Sequence, residues 1–475
     1  MVEIKLLNAK QAQIFSDVDD LNLIREHFSV PNPAFGRRNK FAPKRIYAIT
    51  PSGKFDLGLT ENIIDFLNEN TIKFKVWSEL QDKIKIGFNN FEIKHYKNLT
   101  YRDHQEKSIK TAMERGRGVI VIPTAGGKTL IMSGIIESLR KNLNDPNALA
   151  MVLVPTIQLV EQTANDFVEY GMDNVTKWSG DNKPDPEATT IIAGNQILLS
   201  DNTDLSILND VKILLIDEVH VLKRQNQINK IFNLINTDFR FGFTGTMPPS
   251  LIDQWNIIGK IGPLLYEKKT NDLKHKKYVS DFKITILSLI HKNLPNFPYN
   301  PNQPAEQYNR EIEYLMNDSR RNEIISKLAS KLSNNSIIMV DRIDHGTNIE
   351  MYLKKICPID KPVFFIQGST EIEDREKIRQ LMNTRNDVIA IAVSKIFSTG
   401  INIPNLHNII FASAGKAKIK IMQSIGRALR LHPTKSMANI FDISDNTKYG
   451  KLHLSERIKL YNQEQYTYEE KTIQK

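Results

Sequence analysis

Cysteine is almost absent: the 475-residue chain has one, Cys357. A single thiol excludes an internal disulfide and a thiolate-rich zinc site, so Cys357 is expected to fill space in a protein suited to a reducing cytoplasm. Long apolar runs are missing too. None approaches the roughly 18 residues that cross a bilayer, and no membrane partner is expected. The opening Met1-Val2-Glu3-Ile4-Lys5 lacks the basic and apolar regions of a secretory leader. There is no long-period repeat and no low-complexity segment. What stands in excess is positive charge, with 64 Lys and Arg against 54 Asp and Glu. A formal net charge of +10 fits a polyanionic partner, although an excess of this size also occurs without one.

The length exceeds what one core can hold, so two or three domains are expected. At 40% hydrophobic and 25% charged, the composition is that of an ordinary globular protein. From about residue 100, short β-rich runs alternate with helical patterns. The first set of expected strands is 118–122, 150–154, 190–193, 211–216 and 240–243; the second is 284–289, 336–340, 363–366, 388–393, 408–412 and 439–443. The run Ile213-Leu214-Leu215-Ile216 is apolar throughout, as in a strand buried on both faces of a parallel sheet. The expected fold class is therefore α/β, with two doubly wound parallel-sheet domains in series. Their expected extents are 99–275 and 276–450, with a polar, lysine-rich hinge at 267–281. Residues 293–304 contain four prolines and should form an exposed loop. Residues 1–98 read as a separate small α+β domain carrying the basic cluster Arg37, Arg38, Lys40, Lys44 and Arg45. Residues 451–475 read as a helical tail.

The most informative segment is Ile120-Val121-Ile122-Pro123-Thr124-Ala125-Gly126-Gly127-Lys128-Thr129. An apolar strand enters a small-residue turn ending in Gly-Lys-Thr, and an apolar helix pattern follows. Backbone N–H groups of such a turn, with the following helix dipole, face phosphate oxygens. Lys128 would reach the β- and γ-phosphates, and the Thr129 hydroxyl would hold magnesium. Ile122 stands where the usual pattern has Gly, so an ordinary strand-to-helix turn remains open on this segment alone. Asp217 and Glu218 end a buried strand; there the first acid can hold magnesium and the second can deprotonate an attacking water. A dipole-favoured acid pair at a helix start is the plainer reading. Phe243-Thr244-Gly245-Thr246 runs another strand into hydroxyl residues, which can bridge the acidic pair to a second domain. Downstream, Gln423, Arg427 and Arg430 share one expected helix face, from which arginines can stabilise charge spreading over a transferring phosphoryl group.

Taken in order, these segments resemble the motifs of a superfamily 2 helicase: Arg102–Gln105, Pro123–Thr129, Val154–Thr156, Asp217–His220, Thr244–Thr246, Ser394–Pro404 and Gln423–Arg430. The resemblance covers about residues 99–445. It implies two tandem RecA-like domains, ATP and Mg2+ as cofactors, and ATP-driven movement on nucleic acid. Phe397-Ser398-Thr399-Gly400-Ile401, Gln423–Arg430 and the small N-terminal domain are similar to the bacteriophage UvsW-type helicases, which unwind and branch-migrate forked DNA, as RecG enzymes do.

Carried over, the resemblance implies that Gln105 reads the adenine edge with Arg102 beside it. It implies that Pro123, Thr124, Ala125, Gly126, Gly127, Lys128 and Thr129 wrap the phosphates, and that Asp217 and Thr129 hold Mg2+. Glu218 would activate water; Gly400 and Asn402 would lie near the nucleotide; Gln423, Arg427 and Arg430 would complete catalysis. Thr156, Ser179, Gly180, Gln196, Arg342, Ser398 and Thr399 are implied strand contacts, gripping phosphates rather than reading bases. Arg37, Arg38 and Lys40 are candidates for duplex or junction contacts. The implied partner is forked or branched DNA, bound by a monomer in the cytoplasm, that of the host if the chain is phage-encoded. Asp-Glu-Val-His at 217–220, Gln423 and Asn402 depart from the large RNA helicase family, which leaves RNA as the lesser alternative. The motor of a restriction-type nuclease and a non-catalytic binding protein are the others. Ala125 replaces a usual glycine and is tolerable if its φ stays negative.

Overall fold

The computed structural model describes residues 1–474 except 36–40, 181, 225, 299–302, 395, 397–402, 414–420, 422–423, 427–430 and 434. Contacts divide the chain into two units: Met1–Ile122 with Gly127–Lys268, and Pro123–Gly126 with Lys269–Lys475. The division at Lys268 falls inside the expected hinge and upstream of the expected boundary at 275. The reason is Leu273, on the helix Thr270–His275, which is fully buried in the core of the second unit.

In the first unit a seven-stranded sheet runs in the order Leu264–Glu267, Arg117–Val121, Phe239–Thr244, Ile213–Ile216, Ala150–Val154, Thr190–Gly194, Val175–Trp178. Every pairing is parallel. Alternate side chains go to opposite faces, so Ile213 and Leu215 join one core and Leu214 and Ile216 the other. This is why the inner strands read as unbroken apolar runs. Each fully buried Ile or Leu contributes about 1.5–3 kcal/mol against exposure. The two strands missed from sequence, Val175–Trp178 and Leu264–Glu267, are the sheet's edges and are only partly buried.

The second sheet is also seven-stranded and parallel: Val363–Ile366, Ile389–Val393, Ser336–Val340, Asn408–Phe411, Met437–Asp445, Asp281–Ile290, Tyr468–Gln474. The expected helical tail is corrected here. A helix spans Lys448–Gln463, but it is packed rather than free: buried Arg457 pairs with Asp442 at 2.8 Å, and Tyr461 donates to the same carboxylate at 2.9 Å. The chain then turns at Gln465 (φ 58°) and adds the edge strand Tyr468–Gln474. Its carboxylates are satisfied across the ladder, Glu469 by the Lys283 ammonium at 2.9 Å and Glu470 by the Ser288 hydroxyl, which donates to it at 2.8 Å. A charged edge strand is stable because its outer side faces water, and its composition is indistinguishable from a helix surface.

Residues 2–76 build a mixed four-stranded sheet, Lys54–Asp56, Gln11–Phe15, Val2–Asn8, Phe74–Val76, with its own core around Ile4, Ile14, Ile63 and Leu67. This domain belongs to the first unit. Trp255 and Ile258 on the helix Leu251–Ile261 pack into its core, and Lys83 pairs with Asp238 at 2.6 Å. Gly58 makes the docking possible, because a Cβ there would lie 2.0 Å from the Ile258 carbonyl oxygen.

Candidate nucleotide site and strand-binding surface

The strand Arg117–Val121 delivers Pro123 to a tight 3-10 turn at Thr124–Gly126, closed by Gly126 N–H donating to the Pro123 carbonyl at 2.9 Å. Ala125 is not among the positive-φ residues, so it tolerates its side chain. Gly127 does have positive φ (78°), and caps the helix Lys128–Leu143. An added Cβ would lie 2.3 Å from Gln105 Nε2. Gln105 is itself held: buried in the first turn of the helix Asp103–Arg115, it accepts the Arg102 backbone N–H at 2.8 Å. Gln105 thus stands against the phosphate-type turn, and only glycine fits between them. Thr129 follows Lys128 in the first helical turn.

Lys128 is buried, its Nζ 3.5 Å from the Ile122 carbonyl and 3.8 Å from Glu218 Oε1. The acids reach it because the strand Ile213–Ile216 ends beside Ala150–Val154, with Asp217 N–H donating to Leu153 O at 2.9 Å. Glu218 adopts left-handed backbone (φ 53°), an arrangement that costs a non-glycine residue about 1–3 kcal/mol and is concentrated at functional sites. Burial first, and then the neighbouring Glu218 carboxylate, push the Asp217 carboxyl up to about 6, against the opposing pull of Lys128 and His220. A cation arriving there would reverse that balance.

His220 was in the acidic motif but was not assigned a role from sequence. Its Nδ1 lies 3.1 Å from Glu218 Oε2 and 3.0 Å from Thr244 Oγ1. The Thr244 hydroxyl donates to Thr246 O at 3.0 Å, so the proton in the His220 contact belongs to Nδ1. His220 therefore orients the Glu218 carboxylate, and Thr244 orients His220. The hydroxyl motif acts inside the first sheet in this way.

The residue types present suit a nucleoside triphosphate with magnesium. A buried ammonium, a helix N-terminus and a positive-φ glycine cradle suit phosphates, and a hydroxyl with one carboxylate suits Mg2+, which keeps most of its water. Among the described residues, no cluster of three or more His, Cys, Asp or Glu could hold a metal by itself. Gly400, Asn402, Gln423, Arg427 and Arg430 lie outside the described residues.

Of the strand-contact candidates, Thr156, Ser179, Gly180 and Gln196 line one open cleft. They follow three adjacent strands at their C-terminal ends, the usual ligand edge of a parallel sheet. Thr156 accepts Leu159 N–H at 3.3 Å and caps the helix Ile157–Glu169; Gly180 (φ 57°) has open space where a side chain would be. Arg342 belongs to the second unit, at the start of the helix Ile343–Ile356, 3.4 Å from Asn309. Ser398, Thr399, Arg37, Arg38 and Lys40 lie outside the described residues. No helix among the described residues is long and apolar enough to cross a membrane.

A family profile described as "Type III restriction enzyme, res subunit" matches residues 98–249, and "Helicase conserved C-terminal domain" matches 319–432. The "ATP-dependent DNA helicase uvsW" of Enterobacteria phage T4 is 27% identical over 78% of this chain and 76% of its own. The "DNA 3'-5' translocase XPB2" of Sulfurisphaera tokodaii is 23% identical over 79% of this chain and 83% of its own. Among solved structures, S. cerevisiae Dbp5 bound to RNA and ADP BeF3 superposes with a TM-score of 0.54 at 16% identity, covering 80% of this chain and 91% of that one, a likeness of fold. With two helicase profiles in tandem on two parallel sheets, the chain is an ATP-hydrolysing helicase that resembles the superfamily 2 enzymes of the UvsW type.

Proposed function

We propose that the chain is an ATP-dependent DNA helicase or translocase that unwinds or branch-migrates forked and junction DNA in replication, recombination or repair. The observation that carries the catalytic reading is the meeting of Lys128, Glu218 and His220 at adjacent strand ends. The kinship with DNA helicases supports the substrate. Lys128 and the backbone of 124–128 would hold the phosphates, and Thr129 and Asp217 would hold Mg2+, which neutralises developing charge. Glu218, aligned by His220, would take the proton of the attacking water. Arg427 and Arg430 would add positive charge at the γ-phosphate. Gln105 would contact the adenine, with its carboxamide already fixed by Arg102.

Thr156, Ser179, Gly180 and Gln196 would grip strand phosphates; the N-terminal domain would contribute duplex contacts through Arg37, Arg38 and Lys40. A monomer working in the cytoplasm, that of the host if phage-encoded, fits this reading. The test is ATPase measured in parallel against single-stranded DNA, forked DNA, four-way junctions and RNA, with Glu218→Gln as control. Forked or junction DNA should stimulate most, and Glu218→Gln should abolish turnover while still binding ATP. Preference for RNA, or persistent turnover in the variant, would sink the proposal. The match at 98–249 keeps a restriction-type motor as the second reading, which DNA cleavage in the same reactions would reveal.

A further inference from the structure

We infer that the cleft at the C-terminal edge of the second sheet accepts an unstacked base from a single-stranded nucleic acid arm. This rests on the reading of the chain as a DNA motor and names a contact that reading leaves open. The cleft is open to solvent and lies between the helices Pro304–Asn317 and Lys448–Gln463. Its floor follows the ends of three strands at Asp341, Ala412 and Asp445, the edge on which parallel sheets bind ligands.

Three rings gather along the cleft. Tyr308 and Tyr449 meet edge to face at 5.1 Å, and His453 lies 5.7 Å from Tyr308 and 6.2 Å from Tyr449. All three are partly buried rather than closed into a core. Arg342 lines the same cleft, and Lys448 Nζ sits 5.6 Å from the Tyr449 ring. Flat π surfaces beside cations suit a base and its phosphate, because aromatic stacking tolerates any base and a guanidinium pairs with phosphate.

The walls are set in advance. Glu311 on one helix is fully buried, and its carboxylate accepts the Thr447 hydroxyl and the Tyr449 and Gly450 N–H groups at the start of the other helix. Below them Arg321 pairs with Asp445 at 3.0 Å, so the floor's main charges are compensated. Little ordering is left for binding to supply.

The experiment uses the full chain and forks whose single-stranded arm is either normal or abasic, with affinity read by anisotropy at one salt concentration. Base stacking of the usual strength corresponds to roughly tenfold in affinity. Wild type should bind the abasic arm roughly tenfold more weakly than the normal arm. Tyr308→Leu should lose about the same factor on the normal arm and almost nothing on the abasic one; Tyr308→Phe should behave as wild type. Equal losses of Tyr308→Leu on both arms, or no abasic penalty in wild type, would each overturn the inference. Failure of wild type to bind any fork would overturn the motor reading along with it. Unaltered DNA-independent ATPase in Tyr308→Leu separates a lost contact from a lost fold.

Discussion

Replacing Gly127 by alanine tests the nucleotide site at its tightest point. Two costs can be worked from the structure. Gly127 has φ 78°, where a side chain costs about 1–2 kcal/mol. The new Cβ would lie 2.3 Å from Gln105 Nε2. Gln105 is the far end of a flexible side chain, but it is buried and bonded to Arg102 N–H. Moving it forfeits that bond, about 1 kcal/mol. The sum is roughly 2–3 kcal/mol. Chemical denaturation of the nucleotide-free protein should show this loss, and ATP binding should weaken as the turn opens. A double-mutant cycle separates the parts: on a Gln105→Ser background, Gly127→Ala should cost only the backbone share. If Gly127→Ala unfolds and binds ATP like wild type, or if the cycle shows simple additivity, the reasoning about this contact is wrong.

Two further outcomes follow from buried charge. The Asp217 carboxyl is raised to about 6, so the folded chain holds this proton more tightly than the unfolded one. Relative to Asp217→Asn, nucleotide-free stability should fall as pH rises from about 4 to about 6, then level off. The Mg2+-dependent part of ATP affinity should weaken as pH drops through about 6; identical profiles for the two proteins would refute the assignment. Arg321 bonds Asp445 and the Ala412 carbonyl and contacts His345, all within the second sheet's interior. Arg321→Met should therefore destabilise by about 3–5 kcal/mol, and adding Asp445→Asn should cost less than the sum, measured by denaturation.

The inner strands were legible because burial on both faces leaves an unbroken apolar run, as at 213–216 and 337–340. The edge strands Val175–Trp178, Leu264–Glu267 and Tyr468–Gln474 were not, since a half-wet strand carries charges that look like loop or helix. At the site, Lys128, Asp217 and Glu218 could be named from local chemistry, because a turn and a strand end carry their signals in adjacent residues. By itself, then, the sequence determined two tandem parallel-sheet domains, a phosphate-type turn and an acidic strand end. Only the tertiary structure decided that His220 meets Thr244, that Gln105 stands against Gly127, and that Glu311 locks two distant helices. Each of those contacts depends on a pairing of strands or a crossing of helices, which brings together side chains that no local pattern relates.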